Sequence, residues 1–162
     1  KAMGVATNAV TLGNYVRAIE QALLIYGVSR YDVKGKRILE GEKKYYLGDL
    51  GFKTFLSSTF DPGLGKVLEN YVFNALQNGG YRIYVGTLGK AEDDVVAEKK
   101  DRKLYVQVCY DLTSESVIQR EYAGLEKISD HWEKMVVSMD DIRLRPKNGI
   151  RHVQAWTFHE LI

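Results

Sequence analysis

From Thr11 onward, apolar residues recur every three or four positions. Leu12, Tyr15, Val16, Ile19, Leu23 and Tyr26 form one stripe, with Asn14, Arg17 and Gln21 on the other side. The spacing predicts a helix capped by Thr11 and ending near Tyr26 or Gly27. VSRYDVKGKRILEG then reads as a hairpin: Ser29 to Val33 outward, Lys34-Gly35-Lys36 as the turn, Arg37 to Leu39 back. KKYYLGDLGFKTFLSS predicts a short strand and a short helix opening near Asp49. Its Tyr45, Tyr46, Leu47, Phe52 and Phe55 are expected to fill a core or an interdomain seam.

The stretch from Asp61 to Tyr110 organises the rest. Asp61 and Pro62 suit a helix start, and Leu64, Leu68, Tyr71, Val72, Ala75 and Leu76 give it a broad apolar face. Glu69 lies within that stripe, where an ionised carboxylate is costly unless paired or bound to a metal. Three strands follow, YRIYVGT, AEDDVVAEK and KLYVQVCYDL. Period-two alternation puts Glu92, Asp94 and Val96 on one face of the second. It sets Tyr105, Gln107 and Cys109 opposite Leu104, Val106 and Val108 on the third. These polar positions are expected to converge near Glu69. Beyond them the pattern predicts a helix from Thr113 to Ile128, a buried strand KMVVSM, a turn RLRPKNGI, a strand HVQAW and a closing helical turn TFHELI. Strand, helix, strand after a central hairpin indicates an α/β sandwich.

Composition changes this picture little. The 162 residues are 45% hydrophobic and 27% charged, ordinary for a globular chain. The net charge of +2 is uneven: nine Lys and Arg stand against five Asp and Glu up to Phe60, then fourteen against sixteen. One cysteine allows no internal disulfide, and no signal peptide or long apolar run occurs, so a cytoplasmic protein without a membrane span is expected. His131, His152 and His159 lack metal-ligand spacing, and Cys109 reads as a small residue inside an apolar strand. Arg143, Arg145, Lys147 and Arg151 form a basic loop, solvated or touching a partner. No GxxxxGK[ST] occurs, and Gly63-Leu64-Gly65-Lys66 has the wrong spacing for a phosphate loop.

Four segments in order, KYYLGDLGF, LGKVLENYVFNALQNGGY, EDDVVAEK and LYVQVCYDL, resemble the C-terminal domain of unknown function that follows the ATPase core in archaeal and bacterial AAA-type P-loop ATPases. The resemblance runs from about Thr11 to Phe158. It implies a restriction-endonuclease-like, PD-(D/E)XK, mixed sheet flanked by helices over residues 59–162. A winged-helix-like module with its connector is implied over 1–58. The implied site is Asp94 and Glu69 as ligands of Mg²⁺, with Gln107 where active members carry a Glu and Cys109 where they carry a Lys. Gln can offer a neutral carbonyl oxygen, but a thiol cannot supply the cation that helps activate water. ATP is implied only for an upstream domain outside this chain, which begins Lys-Ala-Met and reads as part of something longer.

The basic hairpin adds a candidate nucleic-acid surface. Arg30, Lys34, Lys36 and Arg37 would meet a phosphate backbone with sequence-independent affinity; the alternative is a solvated turn. The expected function is therefore a degenerate nuclease-fold module that binds or regulates, rather than an enzyme. Nucleic acid, an upstream ATPase domain of the same protein and further copies of the chain are its expected partners. Two alternatives stand beside it: an Mg²⁺-dependent nuclease using Asp94, Glu69 and Gln107, and an adaptor for proteins alone.

Overall fold

The computed structural model describes residues 8–56, 63–88 and 91–162, with the backbone alone at 88 and 91–94. Its elements are α1 (Ala9–Gln21), β1 (Ile25–Asp32), β2 (Arg37–Leu47), α2 (Gly51–Leu56), α3 (Leu64–Asn78), β3 (Arg82–Leu88), β4 (Ala91–Lys99), β5 (Arg102–Val108), α4 (Glu115–Glu126), β6 (Glu133–Ser138), β7 (Ile150–Gln154) and a closing 3₁₀ helix (Ala155–Glu160). All seven strands join one mixed sheet in the order β2-β1-β3-β4-β5-β6-β7. β2/β1, β3/β4 and β4/β5 are antiparallel, while β1/β3, β5/β6 and β6/β7 are parallel. The fold is thus mixed α/β, a seven-stranded sheet flanked by helices.

Alternation along the strands builds two cores. Val95, Ala97, Leu104, Val106, Met135 and Val137 face α3, whose Leu68, Val72, Phe73 and Leu76 cover them together with Phe158 of the closing helix. Val96, Tyr105, Val136 and Ile150 face the other way, under Tyr122 and Leu125 of α4. α3 buries Leu68, Val72 and Leu76 of its expected stripe while Leu64 stays exposed, and each strand of the β4–β6 centre is covered on both faces.

The N-terminal third departs from the pattern. α1 opens at Asn8, whose Oδ1 accepts the Thr11 N–H at 2.8 Å, so Thr11 is not the cap. The helix stops at Gln21, Leu23 takes φ +58, and Tyr26 is drawn into β1 opposite Tyr46. The sheet ladder from Ile25↔Leu47 onward outbids the helical stripe, because strand pairing there also buries Tyr26 on the first core. The rest of the stripe is not core: Leu12 is 55% and Tyr15 61% exposed, and no residue of α1 is buried.

Gly48 closes this corner. Its N–H donates to Leu24 O at 2.9 Å, and a Cβ there would stand 2.5 Å from the Leu23 carbonyl oxygen. The expected Asp61 cap and Pro62 lie outside the described residues; the cap of α3 is Gly63, at φ +57. The expected division between residues 58 and 59 likewise falls outside them. The hairpin of the first segment is hydrogen-bonded into the sheet of the second, through Arg30, Tyr31 and Asp32 of β1 and Val85, Gly86 and Thr87 of β3. Among the described residues no helix is long and apolar enough to cross a membrane.

Candidate functional site

The β1–β2 turn presents its lysines on a braced loop. Asp32 Oδ1 accepts the Gly35 N–H at 2.9 Å, closing an Asx-type turn, and Asp32 also lies 3.8 Å from the Arg37 guanidinium. Val33, 5% exposed, is buried in the second core with Ile128, so the tip lies against the end of α4 and does not project freely. Between them lies a cavity of about 460 Å³, lined by Val33, Lys34, Lys36, Lys127, Ile128, Ser129 and Asp130. Asp130 is already engaged: it accepts the Tyr105 hydroxyl at 2.6 Å and the Trp132 N–H at 3.2 Å. Lys34, Lys36 and Lys127 are exposed, and among the described residues none has a side-chain partner. Three ammonium groups against the single Asp130 carboxylate leave the lining with a net positive charge, which attracts anions.

Of the four basic residues expected at this surface, one lies within the sheet and another is exposed beside a carboxylate. Arg30 is half-buried inside β1, set between Leu39 of β2 and Val85 of β3. Arg37 faces Asp32. Lys127 joins Lys34 and Lys36 instead, with no local signal to mark it: it is one more charge after α4, and only the fold of the hairpin onto Ile128 brings it there.

The expected metal site is not assembled as one. Glu69 sits on α3, on the first-core side, where Tyr46 Oη donates to its Oε1 at 2.5 Å and Lys44 Nζ pairs with it at 2.8 Å. The costly carboxylate of the apolar stripe is therefore satisfied by β2. Gln107 points to the other face, where its Nε2 donates to Glu121 Oε2 of α4 at 3.0 Å. Glu121 in turn holds Arg120 at 2.8 Å. Glu69 and Gln107 thus stand on opposite faces of the sheet and do not fit a shared Mg²⁺.

Asp94 is placed by its backbone alone. It precedes Val95, the first residue of β4 to pair with β5, opposite Val106. Among the described residues no cluster of three or more His, Cys, Asp or Glu has the arrangement to hold a metal. Cys109, where a catalytic Lys would stand, donates its thiol to Asp111 O at 2.9 Å. Burial and then the Glu121 charge push its pKa up to about 11. A thiol held protonated at neutral pH is neither cation nor nucleophile.

A polar cluster the sequence did not announce lies at the ends of β6 and β7. Ser138 Oγ is 2.6 Å from Asp140 Oδ2 and 2.8 Å from His152 Nε2, with Ser138 and His152 fully buried. His152 Nδ1 accepts the Leu144 N–H at 2.9 Å, and Asp140 Oδ2 accepts the Leu112 N–H at 2.8 Å. Ser, His and Asp here pin two loops; Ser138 and His152 are buried, while Asp140 also lines a cavity with Leu112 and Leu144.

No family model matches the chain, and no solved structure matches it. An uncharacterized protein of Haemophilus influenzae is 32% identical to it over 134 residues. The match covers 83% of this chain and 33% of that protein, so the chain spans about a third of the length of the relative it matches.

Proposed function

We propose that this chain is a phosphate-backbone-binding module of degenerate restriction-endonuclease-like fold, the C-terminal part of a longer AAA-type ATPase, which it positions on nucleic acid. The observation that carries the binding reading is the convergence of Lys34, Lys36 and Lys127, unpaired among the described residues, on one cavity. The finer fold is supported by the run α3-β3-β4-β5-α4-β6. Glu69 on α3, Asp94 on β4 and Gln107 on β5 keep the order that the resemblance implies. The α1–β1–β2 segment keeps the helix-then-hairpin order of a winged helix, with its wing enlisted as the sheet edge. The reading is of binding without cleavage, because Cys109 stands where the water-activating Lys belongs and Glu69 is tied to Lys44.

The test is fluorescence anisotropy with labelled single- and double-stranded DNA across a salt series, in Mg²⁺ or EDTA, with Lys34→Glu, Lys36→Glu and Lys127→Glu. Each substitution is expected to weaken binding to all sequences alike and to lower the slope of log K against log salt by roughly 0.9 on duplex. Unchanged slopes sink the lysine site. Metal-dependent cleavage abolished by Asp94→Ala sinks the non-enzymatic reading.

A further inference from the structure

The ladder between β1 and β3 is short. Arg30, Tyr31 and Asp32 pair with Val85, Gly86 and Thr87, and the pairing goes no further toward the strand starts. There, residues 25–28 of β1 pair with β2 and residues 82–84 of β3 with β4, each strand being bonded on its outer side alone. Between them the sheet opens into a cleft of about 850 Å³, lined on its two walls by residues 27–29 and 82–84, with Phe73 and Gln77 of α3 also lining it. A strand carries backbone donors and acceptors on both sides, so the inner side of each wall presents N–H and C=O groups to the cleft without a strand opposite.

The mouth is cationic. Arg82 and Lys100 are exposed and have no side-chain partner among the described residues. Lys99 Nζ donates to Gly79 O at 2.6 Å and lies 5.3 Å from the Tyr81 ring centre. The one carboxylate in the lining, Glu98, is neutralised by Lys103 at 2.6 Å.

We propose that this cleft docks an extended acidic peptide segment, which pairs its backbone with residues 82–84 of β3 and sets its carboxylates against Arg82 and Lys100. Alternating donors and acceptors at strand spacing are matched by another peptide backbone, whereas a phosphate supplies acceptors alone. The charge of the rim selects acidic side chains over basic ones. The site lies toward the start of β1, away from the lysine cavity beyond its end, and does not depend on the nucleic-acid reading.

The experiment measures binding of the fluorescein-labelled peptide EVEVEVE to the full chain, with KVKVKVK and EPEPEPE as controls, and follows backbone amide exchange by NMR. Expected are saturable binding of EVEVEVE alone, slowed exchange at Ile83, whose N–H is the one among residues 82–84 turned to the cleft, and about a fivefold loss of affinity in the Arg82→Glu/Lys100→Glu double variant. Both substitutions are at exposed positions, and an unchanged thermal midpoint verifies the fold. Absence of saturable EVEVEVE binding overturns the proposal. So does equal binding of EPEPEPE, whose prolines lack alternate N–H donors, which would reduce the effect to charge. Full displacement by inorganic phosphate without amide protection also overturns it, in favour of a simple anion pocket.

Discussion

His152 Nε2 and Ser138 Oγ lie 2.8 Å apart in the second core, and the direction of their hydrogen bond is fixed from outside. A backbone N–H can only donate, so the Leu144 N–H makes His152 Nδ1 the acceptor. The neutral ring therefore carries its proton on Nε2 and donates it to Ser138. Ser138 in turn donates to Asp140 Oδ2. A nucleophile–base pair requires the opposite order, with the imidazole accepting from the serine. The cluster is a structural clamp on the β6–β7 connection.

Ser138→Ala breaks that clamp in the middle and leaves the His152 N–H without its acceptor in a buried site. The expected loss is about 1–3 kcal/mol in urea unfolding. A change below about half a kcal/mol would show that the clamp carries no stability.

The same ring gives a pH dependence. Burial lowers the His152 pKa below its ordinary 6.5, with Asp140 opposing and Arg143 reinforcing the shift. Between the folded value and 6.5 the unfolded chain binds a proton that the folded chain refuses. This group's contribution therefore makes stability fall as pH drops through that window, and leaves it flat above. An NMR titration of the His152 ring is expected to give a midpoint under 6.5; a midpoint at or above 6.5 contradicts the assignment.

Glu69 is predicted to matter for folding. Tyr46→Phe keeps the ring stacked on Phe73, at 4.4 Å between centroids, and removes the hydroxyl that Glu69 accepts. The expected cost is about 1.5–3 kcal/mol, as for a hydrogen bond to a charged group, with DNA affinity unchanged. Equal stability with lost binding would return Glu69 to the functional site.

Tyr122 offers a gain. The residue, on the sheet-facing side of α4, is 1% exposed, and its hydroxyl has no partner among the described residues. Tyr122→Phe removes a buried unsatisfied group at nearly constant shape and is expected to be neutral or stabilising by up to about 1–2 kcal/mol. Thermal unfolding that shows a clear loss would reveal a bound water at that position.

Gly48→Ala is expected to destabilise, because the new methyl would lie 2.5 Å from the Leu23 carbonyl oxygen, a backbone atom with no room to yield. Chemical unfolding reads the cost, expected at about 1–3 kcal/mol as for an overpacked site. A neutral Gly48→Ala would mean that the α1–β1 corner adjusts freely.

What the chain determined by itself is local and periodic. Alternation in β4 and β5 correctly set Val95, Leu104 and Val106 apart from Val96 and Tyr105, and three- and four-residue spacing found Leu68, Val72 and Leu76 of the buried stripe of α3, because side-chain direction follows backbone period. What tertiary structure decided is which distant groups meet. Nothing in the order of residues sends Gln107 to Glu121 and Glu69 to Lys44; that follows from α3 and α4 covering opposite faces of one sheet. The same holds for Lys127 joining Lys34 and Lys36, and for Tyr26 leaving its helix for β1. In each case long-range pairing and burial outweigh a local preference of a few tenths of a kcal/mol, roughly the scale of intrinsic propensity differences.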